Sequence, residues 1–220
     1  STGDFYFIET EDMAKAQEMI IRLCQQRIPQ KFELDPIRHI QVLTPMHKGE
    51  LGTLSLNKTL QRALNKEAVT DDRDIPQFFI GDKVIQTSND YDRDVWNGDL
   101  GFIDHKFEDQ LRVNFDDRRI QYAGKERDQL DLAYALSVHK SQGSEYPAVI
   151  IPLLMEHSMM LQRNLLYTAV TRGKKIVVIV GSRKALQRAV SEQREQRRYT
   201  GLMKRLQNLG KSDNIEELHR

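Results

Sequence analysis

Two segments hold most of the side chains suited to phosphate chemistry. Residues 133–146 read A-Y-A-L-S-V-H-K-S-Q-G-S-E-Y, and residues 162–173 read Q-R-N-L-L-Y-T-A-V-T-R-G. In each, polar groups follow or interrupt an apolar run, so a rigid scaffold would hold hydroxyls, a carboxylate and a guanidinium at its edge. Arg172 offers a fixed charge and a planar fork, which suit charge spread over phosphoryl oxygens. As a plain helix-end arginine it would instead satisfy carbonyls ahead of the C-cap Gly173. Gly143 allows close approach of the backbone to a phosphate and lies two residues before the acidic Glu145. The bland reading of that pair is a helix-ending glycine and an exposed glutamate. Ser137, His139 and Lys140 supply a hydroxyl, an imidazole and an ammonium that can contact a single-stranded phosphate backbone. A structural histidine bonded to backbone is the competing reading for His139. The sequence has no G-x-x-x-x-G-K-[ST] loop to cradle phosphates, so a nucleotide site built from these residues has one wall only.

Thr44, Pro45, His47 and Lys48 follow a buried apolar run, where a strand-to-helix turn shaped by Gly49 and Gly52 is the simplest account. Trp96 could stack on a base, but a lone tryptophan is more often core, and that is the expectation here. Thr87 and Asn89 could touch a strand; turn chemistry explains Asn89 equally well. The basic run Arg194 to Arg198 reads as a solvated helix face.

The elements that must position these groups follow from pattern. Phe5 to Glu9 is a short strand, and Glu11 to Gln26 a helix with Thr10 as N-cap. Pro29 and Pro36 punctuate a loop. Ile40 to Thr44 is a buried strand, and Leu51 to Leu64 a helix with its apolar stripe at Leu51, Leu54, Leu60 and Leu64. This strand-helix alternation is that of an α/β layer. Residues 65–76 form a charged loop. From Phe78 to Tyr122 the pattern changes to short strands with turn signals, Asn97-Gly98 and Asp116-Asp117 among them, which predicts a small β-barrel. The α/β rhythm then returns: strand Leu132 to Leu136, a short helix over Val138 to Gly143, strand Ala148 to Leu153, helix Met160 to Thr171, strand Ile176 to Val180, and a charged helix Arg183 to Arg198.

The whole chain has 220 residues, 39% hydrophobic and 30% charged, with 33 basic and 32 acidic residues and a net charge of +1. Any basic groove must therefore come from local arrangement. The single cysteine, Cys24, excludes an intrachain disulfide and suits a reducing compartment. No apolar run reaches membrane-spanning length. The start, S-T-G-D-F-Y-F-I-E-T, lacks a basic and then apolar leader. The expectation is a cytoplasmic protein with no membrane partner, and the chain could be a piece of something larger.

H-K-S-Q-G-S-E-Y followed by L-L-Y-T-A-V-T-R-G resembles motifs V and VI of superfamily 1 helicases. Upstream, V-L-T-P-M-H-K-G-E-L-G-T-L-S-L-N resembles the motif IV region of the RecD-like branch. G-D-K-V-I-Q-T-S-N-D-Y and V-W-N-G-D-L-G resemble the start of that branch's barrel insertion. These segments keep the family's order across most of residues 40–180. The resemblance is to the RecD-like DNA helicases, which include the exodeoxyribonuclease V alpha subunit, over their C-terminal part. It implies an α/β fold: a RecA-like (P-loop NTPase-type) second motor domain formed by residues 1–80 and 128–220, the latter with C-terminal helices. A small Src-homology-type β-barrel would be inserted at 81–127.

The same resemblance assigns roles. Arg172 is the motif VI arginine, reaching the γ-phosphate like an arginine finger. Glu145 accepts hydrogen bonds from the nucleotide ribose beside Gly143, and Gln142 couples the nucleotide and DNA sites. Lys48 stands near the place of the motif IV arginine, without its bidentate geometry; alternatively that segment contacts DNA. Ser137, His139, Lys140, Thr44 and His47 line the DNA, with Ser137 standing where many members carry threonine. ATP and magnesium are implied, and an absent first motor domain would supply the phosphate loop, the magnesium ligands and the catalytic carboxylate. Implied partners are single-stranded DNA, that N-terminal motor domain, and other exonuclease V subunits. This half alone is expected not to hydrolyse ATP appreciably. The alternatives are another superfamily 1 motor, from a conjugative relaxase or a viral RNA helicase, or a non-catalytic docking module.

Overall fold

The computed structural model describes residues 4–70, 78–157 and 161–192. In chain order, β1 (Asp4–Glu9) leads through α1 (Met13–Arg22) and α2 (Ile28–Phe32) to β2 (Ile40–Thr44) and α3 (Thr53–Leu64). Five strands follow: β3 (Lys83–Gln86), β4 (Leu100–Phe107), β5 (Gln110–Phe115), β6 (Arg118–Ala123) and β7 (Leu130–Leu132). The chain then returns with β8 (Ala135–Ser137), β9 (Tyr146–Leu153), α4 (Arg163–Val170), β10 (Gly173–Gly181) and α5 (Arg183–Ser191).

Five strands form a parallel sheet in the order β1-β10-β9-β2-β8. Their near-continuous apolar runs reflect burial on both faces. Ile40, Val42, Ile150 and Val178 pack with Ala16, Ile20, Leu56 and Leu60 of α1 and α3. Val149, Ile151, Val177 and Ile179 face the other way, against Leu166, Ala169 and Ala185 of α4 and α5. The alternation of strand side chains thus fills two cores from one sheet.

Several boundaries differ from the sequence expectation. Asp12, not Thr10, caps α1, accepting from the Lys15 N–H at 2.9 Å. The helical path also continues past Gln26 and through Pro29. A π-helical turn, Leu23–Arg27, sends the Ile28 N–H to the Leu23 carbonyl. That wider turn lets Pro29, which has no N–H to give, open α2. In α3 the Leu54 side chain points outward, 57% exposed, while Leu56, Leu60 and Gln61 are buried. The strand expected over Leu132 to Leu136 is split, β7 joining one sheet and β8 the other. The short helix expected over Val138 to Gly143 is a run of turns, with the Gln142 N–H bonded to the His139 carbonyl and Ser144 to Ser141. Of the helix Arg183 to Arg198, the stretch from residue 193 onward lies outside the described residues, as does the basic run Arg194 to Arg198.

The second sheet is antiparallel, in the order β6-β5-β4-β3-β7, around Val84, Val95, Ile103, Leu111, Val113, Phe115 and Tyr122. It extends to Leu132, beyond the expected limit at 127. A register shift between Ile103 and His105 bends β4. Gly101 allows β4 to pack closely against the β5 side chains, since a Cβ there would lie 2.6 Å from Val113 Cγ1. The left-handed Asp116 makes the hairpin tip between β5 and β6.

The two sheets meet at two adjacent charged residues. Asp82 is buried and accepts from Asn65 Nδ2 (2.7 Å), Tyr134 Oη (2.8 Å), Gln61 Nε2 (2.6 Å) and the Phe79 N–H (2.8 Å). Lys83 is also fully buried, donating to Gln41 Oε1 at 2.8 Å, with its ammonium 5.4 Å from the Tyr146 ring centre. Burial drives the Lys83 pKa down to about 7, opposed by Cys24 and Asp35. The same burial pushes the Cys24 thiol up to about 12.

That depression has a testable sign. Between about pH 7 and 10.5 the unfolded chain holds a proton that folded Lys83 has released. Stability therefore rises with pH in that window and is lost as pH falls through the folded value. In urea denaturation at pH 7 to 9, wild type should gain on Lys83→Met by up to about 1.4 kcal/mol per pH unit. A constant difference between the two would overturn the buried, depressed lysine.

Candidate functional site

Parallel register divides the candidate residues between opposite ends of the first sheet. Ile40 of β2 and Ile176 of β10 both pair with Ala148 of β9. Glu145 and Arg172, which precede β9 and β10, therefore stand at the strands' N-terminal ends. Thr44 pairs with Ser137, so the residues that follow them stand at the C-terminal ends. Residues 138–145 run from one end to the other.

At the N-terminal end, α4 stops at its C-cap, Thr171, and hands the chain to β10. Arg172 is half-buried. Its Nη1 donates to the Ser144 carbonyl at 3.1 Å and its Nε to the Thr168 carbonyl at 3.3 Å. Its own carbonyl accepts from the Tyr146 N–H at 2.8 Å. The two sequence segments are thereby bonded together, side chain to backbone and backbone to backbone. Gly143 has φ +85°, and no atom lies within 4 Å of where a Cβ would stand; the left-handed backbone, not crowding, favours glycine here. Gln142 and Glu145 are exposed, and Glu145 pairs with Lys174 at 3.1 Å. Tyr167 is 70% exposed on α4, one turn before Arg172. This surface presents a tethered guanidinium, an open glycine and a carboxylate to solvent. The donor chemistry fits one wall of a nucleotide phosphate and ribose site.

At the C-terminal end a groove of about 570 Å³ opens between α3, β8 and β7. Ser137, Lys140 and His47 line it, as do Asn57 and Arg127, which sequence reasoning did not single out. Asn57 pairs with the exposed edge of β8, donating to the Ala135 carbonyl (2.9 Å) and accepting from its N–H (2.8 Å). That contact blunts an open sheet edge and holds the groove floor. Ser137 Oγ accepts from the Lys140 N–H at 3.2 Å, and Lys140 Nζ pairs with Asp131 of β7 at 3.2 Å. His47 Nδ1 lies 2.8 Å from Thr53 Oγ1. His139 is exposed and makes no side-chain hydrogen bond among the described residues, unlike a backbone-bonded structural histidine.

Two assigned residues are corrected. Thr44 is fully buried, its hydroxyl donating to the Leu51 carbonyl at 2.7 Å and accepting from the Met46 N–H. It shapes the turn and is not available to DNA. Lys48 is exposed, four residues past the C-terminal end of β2, at the opposite end of the sheet from Arg172. It cannot stand in for a motif IV arginine at the same phosphate. Trp96, expected in the core, is 41% exposed. Thr87 donates to the Gln129 carbonyl and Asn89 accepts from the Asn97 N–H, so both serve the loop. Among the described residues, no group of three or more His, Cys, Asp or Glu is placed to hold a metal ion, and no helix is long and apolar enough to cross a membrane.

Residues 132–180 match the UvrD-like helicase C-terminal domain, and residues 56–115 match the SH3 domain of ATP-dependent RecD-like DNA helicases. An ATP-dependent RecD2 DNA helicase of Deinococcus radiodurans is 41% identical over 76% of this chain and 23% of its own length. The RecBCD enzyme subunit RecD of Mycolicibacterium smegmatis is 30% identical over 93% of this chain and 37% of its own length. The chain thus spans roughly a quarter to a third of these curated relatives. A crystal structure of the Pif1 helicase from Bacteroides, with ADP-AlF3 and single-stranded DNA, superposes with a TM-score of 0.52 at 16% identity. It covers 91% of this chain and 51% of that one, and carries the same fold.

Proposed function

The chain belongs to the RecD-like family of superfamily 1 helicases, and from that premise we propose that it is the second motor domain of an ATP-driven DNA helicase moving 5′ to 3′ on single strands. The motor domain would be interrupted by the barrel, and the parent would act in DNA recombination and repair in the cytoplasm. The observation that carries this reading is the division of one sheet into two ends. A guanidinium and a carboxylate stand at one end, a groove with a hydroxyl and an ammonium at the other, and residues 138–145 span the distance.

The residues perform separate tasks. Arg172 would neutralise charge on the terminal phosphoryl group, its remaining N–H donors facing a first motor domain. Glu145 would exchange its Lys174 partner for the ribose, with Gly143 keeping the approach open and Gln142 beside it. Hydrolysis of bound ATP would supply the free energy, with the phosphate loop and magnesium ligands contributed by the first domain. Ser137, His139, Lys140 and His47 would hold the DNA backbone along the groove. A change at Arg172 reaches Ser144 directly, and the turns from Ser144 back to Ser137 would carry it to the DNA grip. Other exonuclease V subunits would be partners where the parent works in such a complex.

The full-length parent tests the groove. Combined Ser137→Ala and Lys140→Ala replacements are expected to weaken single-stranded DNA binding about five- to tenfold, and to lower the salt slope by about one. The KM for ATP should stay unchanged. Undiminished DNA affinity, or a loss confined to ATP, would place the track elsewhere.

A further inference from the structure

The loop joining β3 to β4 presents the large aromatic side chains Tyr91 and Trp96 to solvent, 74% and 41% exposed. Their rings pack edge to face, with centroids 5.3 Å apart. Exposed aromatic pairs of this size are unusual away from binding surfaces.

The loop is nonetheless firmly built. Asp90 and Val95 exchange backbone hydrogen bonds of 2.7 and 3.0 Å, with Val95 fully buried beneath. The Trp96 N–H donates to Asp99 Oδ2 at 3.0 Å. Arg93 reaches Asp90, the Gln121 carbonyl and Glu126, and Arg118 reaches Asp99 and the Asp94 carbonyl. A loop fixed in this way loses little freedom when something docks on it.

Charge indicates what that would be. The loop carries Asp90, Asp92, Asp94 and Asp99, and Glu126 joins it through Arg93, against the two guanidiniums of Arg93 and Arg118 that the loop itself uses. Asp92 is exposed with no partner among the described residues, and the Asp94 carboxylate, 73% exposed, lies 3.6 Å from Arg118 Nη1, an ion pair open to solvent. The local excess of negative charge repels a phosphate backbone and attracts cations, which aromatic faces also bind.

We propose that this loop docks a lysine- or arginine-bearing segment of a partner protein, one cationic head lying on the Tyr91 or Trp96 ring with Asp92 and Asp94 beside it. The surface is separate from both ends of the motor sheet, and the inference does not depend on the motor reading.

Trp96 is the chain's single tryptophan, so its fluorescence reports on this loop alone. The 220-residue chain is titrated with an octa-arginine peptide and, separately, with oligothymidine at physiological salt. The peptide should shift Trp96 emission saturably, and oligothymidine should not. Tyr91→Ala, and Asp92→Asn combined with Asp94→Asn, should each weaken peptide binding about tenfold. Both should melt with wild type, because these side chains are exposed and asparagine tolerates the left-handed backbone at position 94. If Tyr91→Ala melts early, the carboxamide pair decides. Equal peptide affinity in the variants overturns the proposal. A saturable shift with oligothymidine also overturns it, and assigns the loop to DNA.

Discussion

Replacing Arg172 with alanine in the full-length parent is expected to slow DNA-stimulated ATP turnover by about a thousandfold. Of the five N–H donors on a guanidinium, the Ser144 and Thr168 carbonyls each take one. A third N–H reaches Thr171 Oγ1 at 3.4 Å. The plane of the group is fixed by these ties while part of its fork stays open. A charge held in place before the reaction need not reorganise during it, which is where such electrostatic assistance gains its size. The competing account is an arginine that only closes α4 and joins it to the turn before β9. That role predicts a lower melting temperature with comparable losses in KM and kcat. The phosphoryl role predicts a collapse of kcat with KM and melting little changed. Arg172→Lys keeps the charge but not the fork, and should recover only a minor part of the rate. Unchanged turnover in Arg172→Ala would remove the arginine-finger role and favour a docking module.

The second large effect concerns stability. Asp82→Ala is expected to cost about 3–5 kcal/mol in urea denaturation, because it strands buried donors from α3, the Phe79 backbone and Tyr134 at once. Those donors come from both sides of the junction, so the barrel should also unfold ahead of the motor sheet instead of with it. Asp82→Asn keeps the shape and one acceptor oxygen, and should cost less. Burial outweighs the four hydrogen bonds and holds the Asp82 carboxyl above its ordinary value. Part of the wild-type advantage is therefore lost as pH rises through that raised value. A neutral alanine variant, or a single unchanged transition, would show that the two sheets are held by apolar contact alone.

The order of elements was legible in the sequence because it rests on local pattern. Ile176 to Val180 announces a buried strand by a continuous apolar run and Ile40 to Thr44 by one that only Gln41 interrupts, and Asn97-Gly98 and Asp116-Asp117 announce turns by backbone preference. The pairing of residues 133–146 with 162–173, and the family they indicate, could also be read there, since identity and order of side chains carry it. Other features depend on partners distant in the chain. Thr44 has the residue type of a phosphate contact, but its hydroxyl is taken by the Leu51 carbonyl. Lys48 has the right charge, but parallel register sends it to the far end of the sheet from Arg172. Asp82 and Lys83 are charged residues within the segment G-D-K-V-I-Q-T, where no local pattern marks them as buried; only the docking of one sheet against the other buries them beside Gln61, Asn65, Tyr134 and Gln41. The sequence alone determined which chemistry the chain carries and in what order. The tertiary structure decided which groups face solvent together, because burial and register depend on contacts between segments that local pattern does not encode.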